Sequence, residues 1–203
     1  ELVQNFVDSA LLAKEAGFDL IEIHAAHGYL LSTFLSALTN HRQDNYGGSL
    51  GNRMRFPIEV IRAIRQVWAG ALSVRISATE WAAGGMNDAD RVAIARAFQA
   101  AGADIIDCSA GGVVPWQKPI YGRMFQVPFS DLIRNQAGIP TMAVGNIQDI
   151  DQVHTLVAAG RADLCLLARA HLSNPYLALQ GADQQKIHWP KQYLSVRPGR
   201  RKG

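Results

Sequence analysis

The chain has 203 residues, of which 48% are hydrophobic and 18% charged, and its formal net charge is +3. That length allows a substantial core in one domain or a little more. No apolar run reaches the roughly 18–20 residues of a membrane-spanning helix, and no charged segment followed by an apolar one opens the chain, so the expectation is a cytoplasmic protein with no membrane partner.

Residues 2–16 carry apolar side chains at helical spacing and stop at Gly17, a natural position just past a helix end. Residues 19–23 form a short apolar strand, and His24, His27 and Tyr29 leave its end within FDLIEIHAAHGYL. Residues 57–68 read as a helix with Pro57 in its first turn, and residues 72–77 as a strand holding one charge, Arg75. An amphipathic helix over residues 88–101 ends at Gly102, and a strand follows over 104–108. Residues 129–137 are helical, with Ser130 or Asp131 near the start, and 140–144 are a strand. A helix over 149–159 closes at Gly160, the last strand covers 163–167, and a terminal helix starts in 175–180.

Short apolar strands alternating with helices imply a parallel sheet with crossover helices, its strands buried on both faces. Polar or glycine-rich residues stand at every strand's carboxyl end: His24, Arg75, Ser109–Gly112, Gly145–Asn146 and Arg169. In a (β/α)8 TIM barrel that end is the catalytic face. An open doubly wound sheet also binds ligands at carboxyl ends, but polar chemistry at every strand favours the barrel. Eight strands close such a barrel, and only the last five βα units are recognisable here. Because the chain starts at Glu1, on a helix, the expected reading is the C-terminal part of a larger barrel over residues 1–182, followed by a basic tail over 183–203. That tail carries Lys186, Lys191, Arg197, Arg200, Arg201 and Lys202 without interleaved aromatics, and reads as a solvated extension rather than a nucleic-acid site. Cys108 and Cys165 sit in apolar runs and are expected as reduced, buried thiols.

Two imidazole N–H groups at one strand's exit can converge on a carbonyl or phenolate oxygen and stabilise negative charge developing there. A phenol beside them, Tyr29, either moves a proton or packs on the barrel rim. A zinc site would need two more ligands, and His41 alone is a poor candidate, so no metal is expected. Arg75 needs an anion, either a protein carboxylate such as Glu22 or Glu80 or a ligand. Gly145–Asn146 and Ala168–Arg169 follow the last two strands, where barrels build phosphate sites; glycine lets backbone N–H groups approach and arginine binds phosphate as a planar fork. Trp116 and Tyr121 either line a substrate pocket or cap the barrel.

The segment HAAHGYLLSTFLSALTNHRQDNYGGSLGNRMRF resembles the old yellow enzyme family of FMN-dependent oxidoreductases. Its His-x-x-His form is similar to the bacterial ene-reductase and xenobiotic-reductase branch. The likeness runs from about Phe6 to Tyr193, through SVRISATEW, DIIDCSAGG, MAVGNI and GRADLCLLAR. It implies an NADPH dehydrogenase of the ene-reductase type, with FMN as cofactor, NAD(P)H as reductant and an α,β-unsaturated carbonyl compound as substrate. It implies that His24 and His27 hold the substrate carbonyl, that Tyr29 delivers the proton, and that Arg75 contacts the N1/O2 edge of the flavin. Gly145, Asn146, Ala168 and Arg169 would hold the flavin phosphate; the family often has Gly-Arg where this chain has Ala168–Arg169. Asn40, Arg42, Asp44, Tyr46, Gly47, Gly48, Asn52 and Arg53 form the family's most recognisable signature and read as loop architecture. Relatives in this branch place an arginine soon after a Gln-Tyr pair to reach a neighbouring protomer, whereas here Leu194–Ser195 follows Gln192–Tyr193 and the nearest arginine is Arg197. A homo-oligomer is implied for a full-length protein. The rival expectation is an inactive barrel fragment that serves as a structural part of a longer or bifunctional polypeptide.

Overall fold

The computed structural model describes residues 1–184 and 186–197. Its elements run α1 (Leu2–Glu15), β1 (Leu20–Ala25), α2 (Leu30–Leu35), α3 (Leu50–Val67), β2 (Ala71–Ser77), α4 (Asp88–Ala101) and β3 (Ile105–Ser109). The second half contains α5 (Val127–Ala137), β4 (Thr141–Ala143), α6 (Ile150–Ala158), β5 (Leu164–Cys165), α7 (Arg169–Ser173) and α8 (Leu177–Gln184), then a 3-10 helix over Lys191–Val196. α8 spans the expected boundary at residue 182, and Arg200, Arg201 and Lys202 of the basic tail lie outside the described residues.

All five strands are parallel and lie in the order β1-β2-β3-β4-β5. Sequential order means that every crossover moves the chain one strand in the same direction. A doubly wound sheet instead reverses its strand order at a switch point. The sheet is therefore an arc of a barrel wall, with two free edges at β1 and β5.

Strand register sorts the side chains between the two faces of that arc. Ile23, Val74, Ile106 and Ala143 are buried against the helices. On the other face His24 pairs with Arg75, Arg75 with Asp107, Asp107 with Met142, and Met142 with Leu164. The expectation of strands buried on both faces fails for β1 and β5. Leu20, Glu22, His24 and Leu164 are exposed because, among the described residues, nothing covers the inner face at the edges. The last two strands are also shorter than expected, with three and two residues.

The helices follow local rules with one correction. Asn87 and Asp90 form a reciprocal capping box at the start of α4, and Gly102 ends it in the left-handed conformation at φ 117°. Pro57 does not open its helix. α3 starts at Leu50, capped by the Ser49 hydroxyl, which accepts from Asn52 N at 3.3 Å, so Pro57 sits inside it. The early start is held by Arg53, which donates to Leu35 O at 2.9 Å and Gly48 O at 2.6 Å.

The core is divided unequally. One large cluster joins α1, α3, α4 and α5 to β1–β3 through Ile61, Leu72, Ile76, Ile94, Phe98 and Ile106, each fully buried. A second contains only Val127, Ala143, Ile147, Leu156 and Ala162 as buried members, beneath β4 and α6. Cys108 is buried in the first, whereas Cys165 is only half-buried, because its strand is an edge.

Candidate active site

His24 lies inside β1 rather than after it, on the exposed inner face. Its ring centroid is 5.2 Å from that of His27 and 5.1 Å from that of Tyr29, so the three aromatic groups form one cluster. His27 follows the strand in a left-handed conformation at φ 58°. That kink is fixed from two sides: the His27 backbone N–H donates to Ser77 Oγ at 2.8 Å, and its ring Nε2 is 2.7 Å from Ser109 Oγ. Gly112 passes so close that a Cβ placed there would be 3.0 Å from His27 Cβ, at a backbone φ of +74° that disfavours any other residue. The second glycine of DIIDCSAGG, Gly112, thus makes room for the histidine.

Both imidazoles are neutral near pH 7. Burial pushes His27 down to about 4, helped by the Arg75 cation and then by His24. His24 is lowered by burial and then by Arg75, against an opposing pull from Glu22. A neutral imidazole keeps one N–H donor and one acceptor nitrogen. The pair can therefore hold a substrate oxygen by hydrogen bonding without carrying charge.

Arg75 sits beside His24 in the strand register, and its partner is neither Glu22 nor Glu80. Its Nε is 3.2 Å from Oδ2 of Asp107, a residue with no solvent exposure. Glu22 instead accepts from Ser73 Oγ at 2.7 Å, and Glu80 from the Met86 backbone N–H at 2.6 Å. The Asp107 carboxyl is pushed up to about 7, because burial outweighs the attraction of Arg75 and the nearby Glu22 charge adds to the shift. Sequence reasoning missed Asp107 and the roles of Ser77 and Ser109. The available signal was a lone acid inside the apolar run IIDC, on the strand adjacent to a lone arginine.

Gly145, Asn146, Ala168 and Arg169 meet around a second cavity of about 480 Å³, which Ile147, Gln148 and Ser173 also line. Gly145 is left-handed at φ 108° and Asn146 at φ 56°. The Asn146 side chain is already engaged, donating to Gly122 O at 3.0 Å and accepting from Gln148 at 2.9 Å. Arg169 is exposed and, among the described residues, makes no ion pair. The histidine cluster does not line this cavity. A third cavity of about 560 Å³ on the inner face links the two regions, since Arg75 and Ala168 both line it.

The signature loop is built as a hydrogen-bonded bracket below α2. Asn40 Nδ2 donates to Phe34 O and to Tyr46 O, each at 2.7 Å, Arg42 pairs with Asp44, and Tyr46 OH donates to Glu59 at 3.2 Å. Trp116 and Tyr121 are exposed, and Tyr121 stacks edge-on against Phe125 at 5.3 Å. Arg197 is paired within its own chain, with Asp183 at 2.8 Å. No described helix is long and apolar enough to cross a membrane, and no metal-ligand cluster occurs among the described residues.

The sequence profile of the NADH:flavin oxidoreductase / NADH oxidase family matches residues 1–186. An NADPH dehydrogenase of Listeria monocytogenes (serotype 4a, strain HCC23) is 47% identical over 195 residues, covering 95% of this chain and 57% of its own length. One from Geobacillus thermodenitrificans (strain NG80-2) is 49% identical over 193 residues, covering 94% of this chain and 56% of its own length. Among solved structures, 2-naphthoyl-CoA reductase in complex with 2-naphthoyl-CoA superposes with a TM-score of 0.82 at 29% identity, over 90% of this chain and 29% of that one. Morphinone reductase in complex with tetrahydroNAD superposes with a TM-score of 0.72 at 26% identity, over 94% of this chain and 50% of that one. The chain thus spans little more than half the length of these dehydrogenases, and its five βα units are a partial barrel.

Proposed function

Because the chain belongs to the NADH:flavin oxidoreductase / NADH oxidase family, we propose that it provides the substrate and phosphate side of an FMN-dependent NAD(P)H oxidoreductase that reduces activated alkenes. The observation that carries this reading is that His24 is the register partner of Arg75 and has His27 5.2 Å away, ring to ring, so that two neutral imidazoles stand next to a cation. The residues present fit FMN. Among the described residues the outer end of the Arg75 guanidinium has only a 3.5 Å contact, from Nη2 to Ser109 Oγ, and borders the inner-face cavity, and Arg169, with no ion pair among those residues, lines a cavity together with the left-handed Gly145–Asn146 turn. Arg75 would hold the ring, and Gly145, Asn146, Ala168 and Arg169 the phosphate. When bound, FMN would supply the redox chemistry, accepting hydride from NAD(P)H and delivering it to the β-carbon of an α,β-unsaturated carbonyl compound.

The chain's own residues orient and polarise the substrate. His24 and His27 donate hydrogen bonds to the carbonyl oxygen, and these strengthen as charge accumulates on it. Their depressed pKa values keep both rings from drawing a proton off bulk water, so they act as donors rather than as acids. Tyr29, 64% exposed and stacked near His24, gives its phenolic proton to the carbon next to the carbonyl and recovers one from solvent. Residues 183–203 would be a basic extension of the barrel, and the full-length protein a cytoplasmic homo-oligomer.

A second reading, that the chain functions only within a longer polypeptide, is favoured by the exposed inner-face residues Leu20 and Leu164 at the sheet's two edges. Titrating the purified chain with FMN and recording its visible spectrum separates the two. Bound yellow flavin that bleaches on addition of NADPH supports the first, and a colourless product rejects independent activity. Replacing His24 and His27 by alanine is expected to leave flavin binding intact and weaken phenolic ligands about tenfold or more, the loss of charge-stabilising hydrogen bonds. Unchanged phenol affinity would remove the role given to these histidines.

A further inference from the structure

We propose that Asp107 is a positioning residue for the flavin site: its buried carboxylate holds the Arg75 guanidinium from behind, so that the arginine meets the cofactor already oriented. This rests on the reading of Arg75 as a flavin contact. Three structural observations support it.

The first is register. Arg75 and Asp107 are direct partners on adjacent parallel strands, with their side chains on the same face. The strand pairing therefore sets their approach, rather than a mobile loop. The second is asymmetry of exposure. The Arg75 side chain is 28% exposed and lines the inner-face cavity, while Asp107 is completely covered. The acid can reach only the rear of the guanidinium, at Nε, and leaves its front free apart from a long 3.5 Å contact from Nη2 to Ser109 Oγ.

The third is that the pair is a poor stabilising device. Arg75 Nε and Asp107 Oδ2 are 3.2 Å apart, yet neither they nor Asp107 Oδ1 makes a well-aligned hydrogen bond among the described residues. Burying a carboxylate costs free energy that an imperfect ion pair does not recover, and an apolar residue of similar volume would serve the fold as well or better. What Asp107 does provide is a fixed direction for a long side chain whose rotamer entropy would otherwise be lost on binding. Glu22, the other carboxylate near Arg75, is drawn off by Ser73, which leaves Asp107 as the anchor.

The test uses the 203-residue chain with and without FMN. In the cofactor-free protein above about pH 7, where Asp107 is ionised, the Arg75 Nε–H signal in a nitrogen-15 spectrum, identified by its absence from Arg75→Lys, is expected downfield and slow to exchange with water. Asp107→Asn should move it upfield and speed its exchange about tenfold, the loss of one charge-assisted contact, while the backbone spectrum elsewhere stays folded. Asp107→Ser serves as a second variant if the asparagine protein does not fold. An unchanged Nε–H signal in the folded variant would overturn the proposal. In the presence of FMN, Asp107→Asn and Arg75→Gln should each weaken flavin affinity about tenfold, and the double variant should be no weaker than Arg75→Gln alone. Additive losses would show that Asp107 does not act through Arg75, and would also overturn it. If the wild-type chain binds no FMN, the flavin reading fails for this chain while the cofactor-free spectrum still decides whether Asp107 holds Arg75.

Discussion

The two halves of the arc are built to different standards. β1–β3 rest on a cluster of 23 buried residues, and His27 and Arg75 there are each held by a neighbouring side chain. β4 and β5 contribute five ladder residues in all and rest on a cluster of five buried residues. The site divides along the same line. The groups proposed to hold a small substrate oxygen in one direction stand on the well-packed half. Groups suited to a phosphate, which accepts donors from many directions, stand on the sparse half. Rigidity is concentrated where the chemistry needs it, and the sparse half is the part that a bound ligand would stabilise most.

The contrast is tested most severely by core truncation. Phe98→Ala, at a fully buried position in the large cluster, should cost about 3–5 kcal/mol and lower the urea midpoint of the whole chain. Leu156→Ala, in the small cluster, should cost about 2 kcal/mol and act mainly on β4, α6 and β5, which hydrogen exchange would show as faster amide exchange in those elements alone. Equal protection across all five strands would erase the distinction.

Asp107 gives the well-packed half a distinctive pH dependence. Its carboxyl rises from 3.8 to about 7 on folding, so between those values the folded chain holds a proton that the unfolded chain has released. Asp107 alone then makes stability fall as pH rises through that window and flatten above it, while His27, held at about 4 in the folded chain against 6.5, makes it rise over much of the same range. At about 1.4 kcal/mol per unit, the loss is at most about 4 kcal/mol. Urea titrations at several pH values should therefore show the Asp107→Asn chain gaining stability relative to the wild type as pH rises through the window, the His27 contribution being common to both. A parallel pair of curves would mean that the carboxyl is not raised.

On the sparse half the corresponding effect needs a ligand. Arg169 is exposed and, among the described residues, has no ion-pair partner, so Arg169→Ala should leave the melting temperature of the ligand-free chain unchanged. In a flavin titration it should raise the dissociation constant about tenfold, roughly 1.4 kcal/mol. A stability loss without ligand would make Arg169 part of the fold instead.

The same division governs what the sequence disclosed. Helices α1 and α4 were legible because their apolar spacing and their terminal glycines, Gly17 and Gly102, are local signals. The start of α3 was hidden because Arg53 anchors that turn through the carbonyls of Leu35 and Gly48, contacts that exist only once the loop has folded back. The residues of the histidine cluster were visible as a motif, and their proximity follows from one short stretch of chain. The Arg75 partner was not, since the choice among Glu22, Glu80 and Asp107 depends on strand register and on which acids Ser73 and the Met86 amide already occupy. Exposure of the edge strands was legible only as a consequence of having five units where a closed barrel needs eight.

That exposure supplies the smallest expected effect. Leu164 lies on β5 with 51% of its surface accessible, on the inner face where Met142 is its register neighbour. In this chain Leu164→Ala should change stability by less than about 1 kcal/mol, since little apolar area is removed from a covered environment. The same substitution in a polypeptide of the relatives' full length should cost about 2 kcal/mol or more if added strands close over this face, because the leucine then leaves a cavity. Denaturant midpoints for the two pairs of proteins measure the difference directly. A small loss in both would mean that the inner face at β5 stays open even when the chain is longer, and the sparse half would then be sparse by its own sequence rather than for want of neighbours.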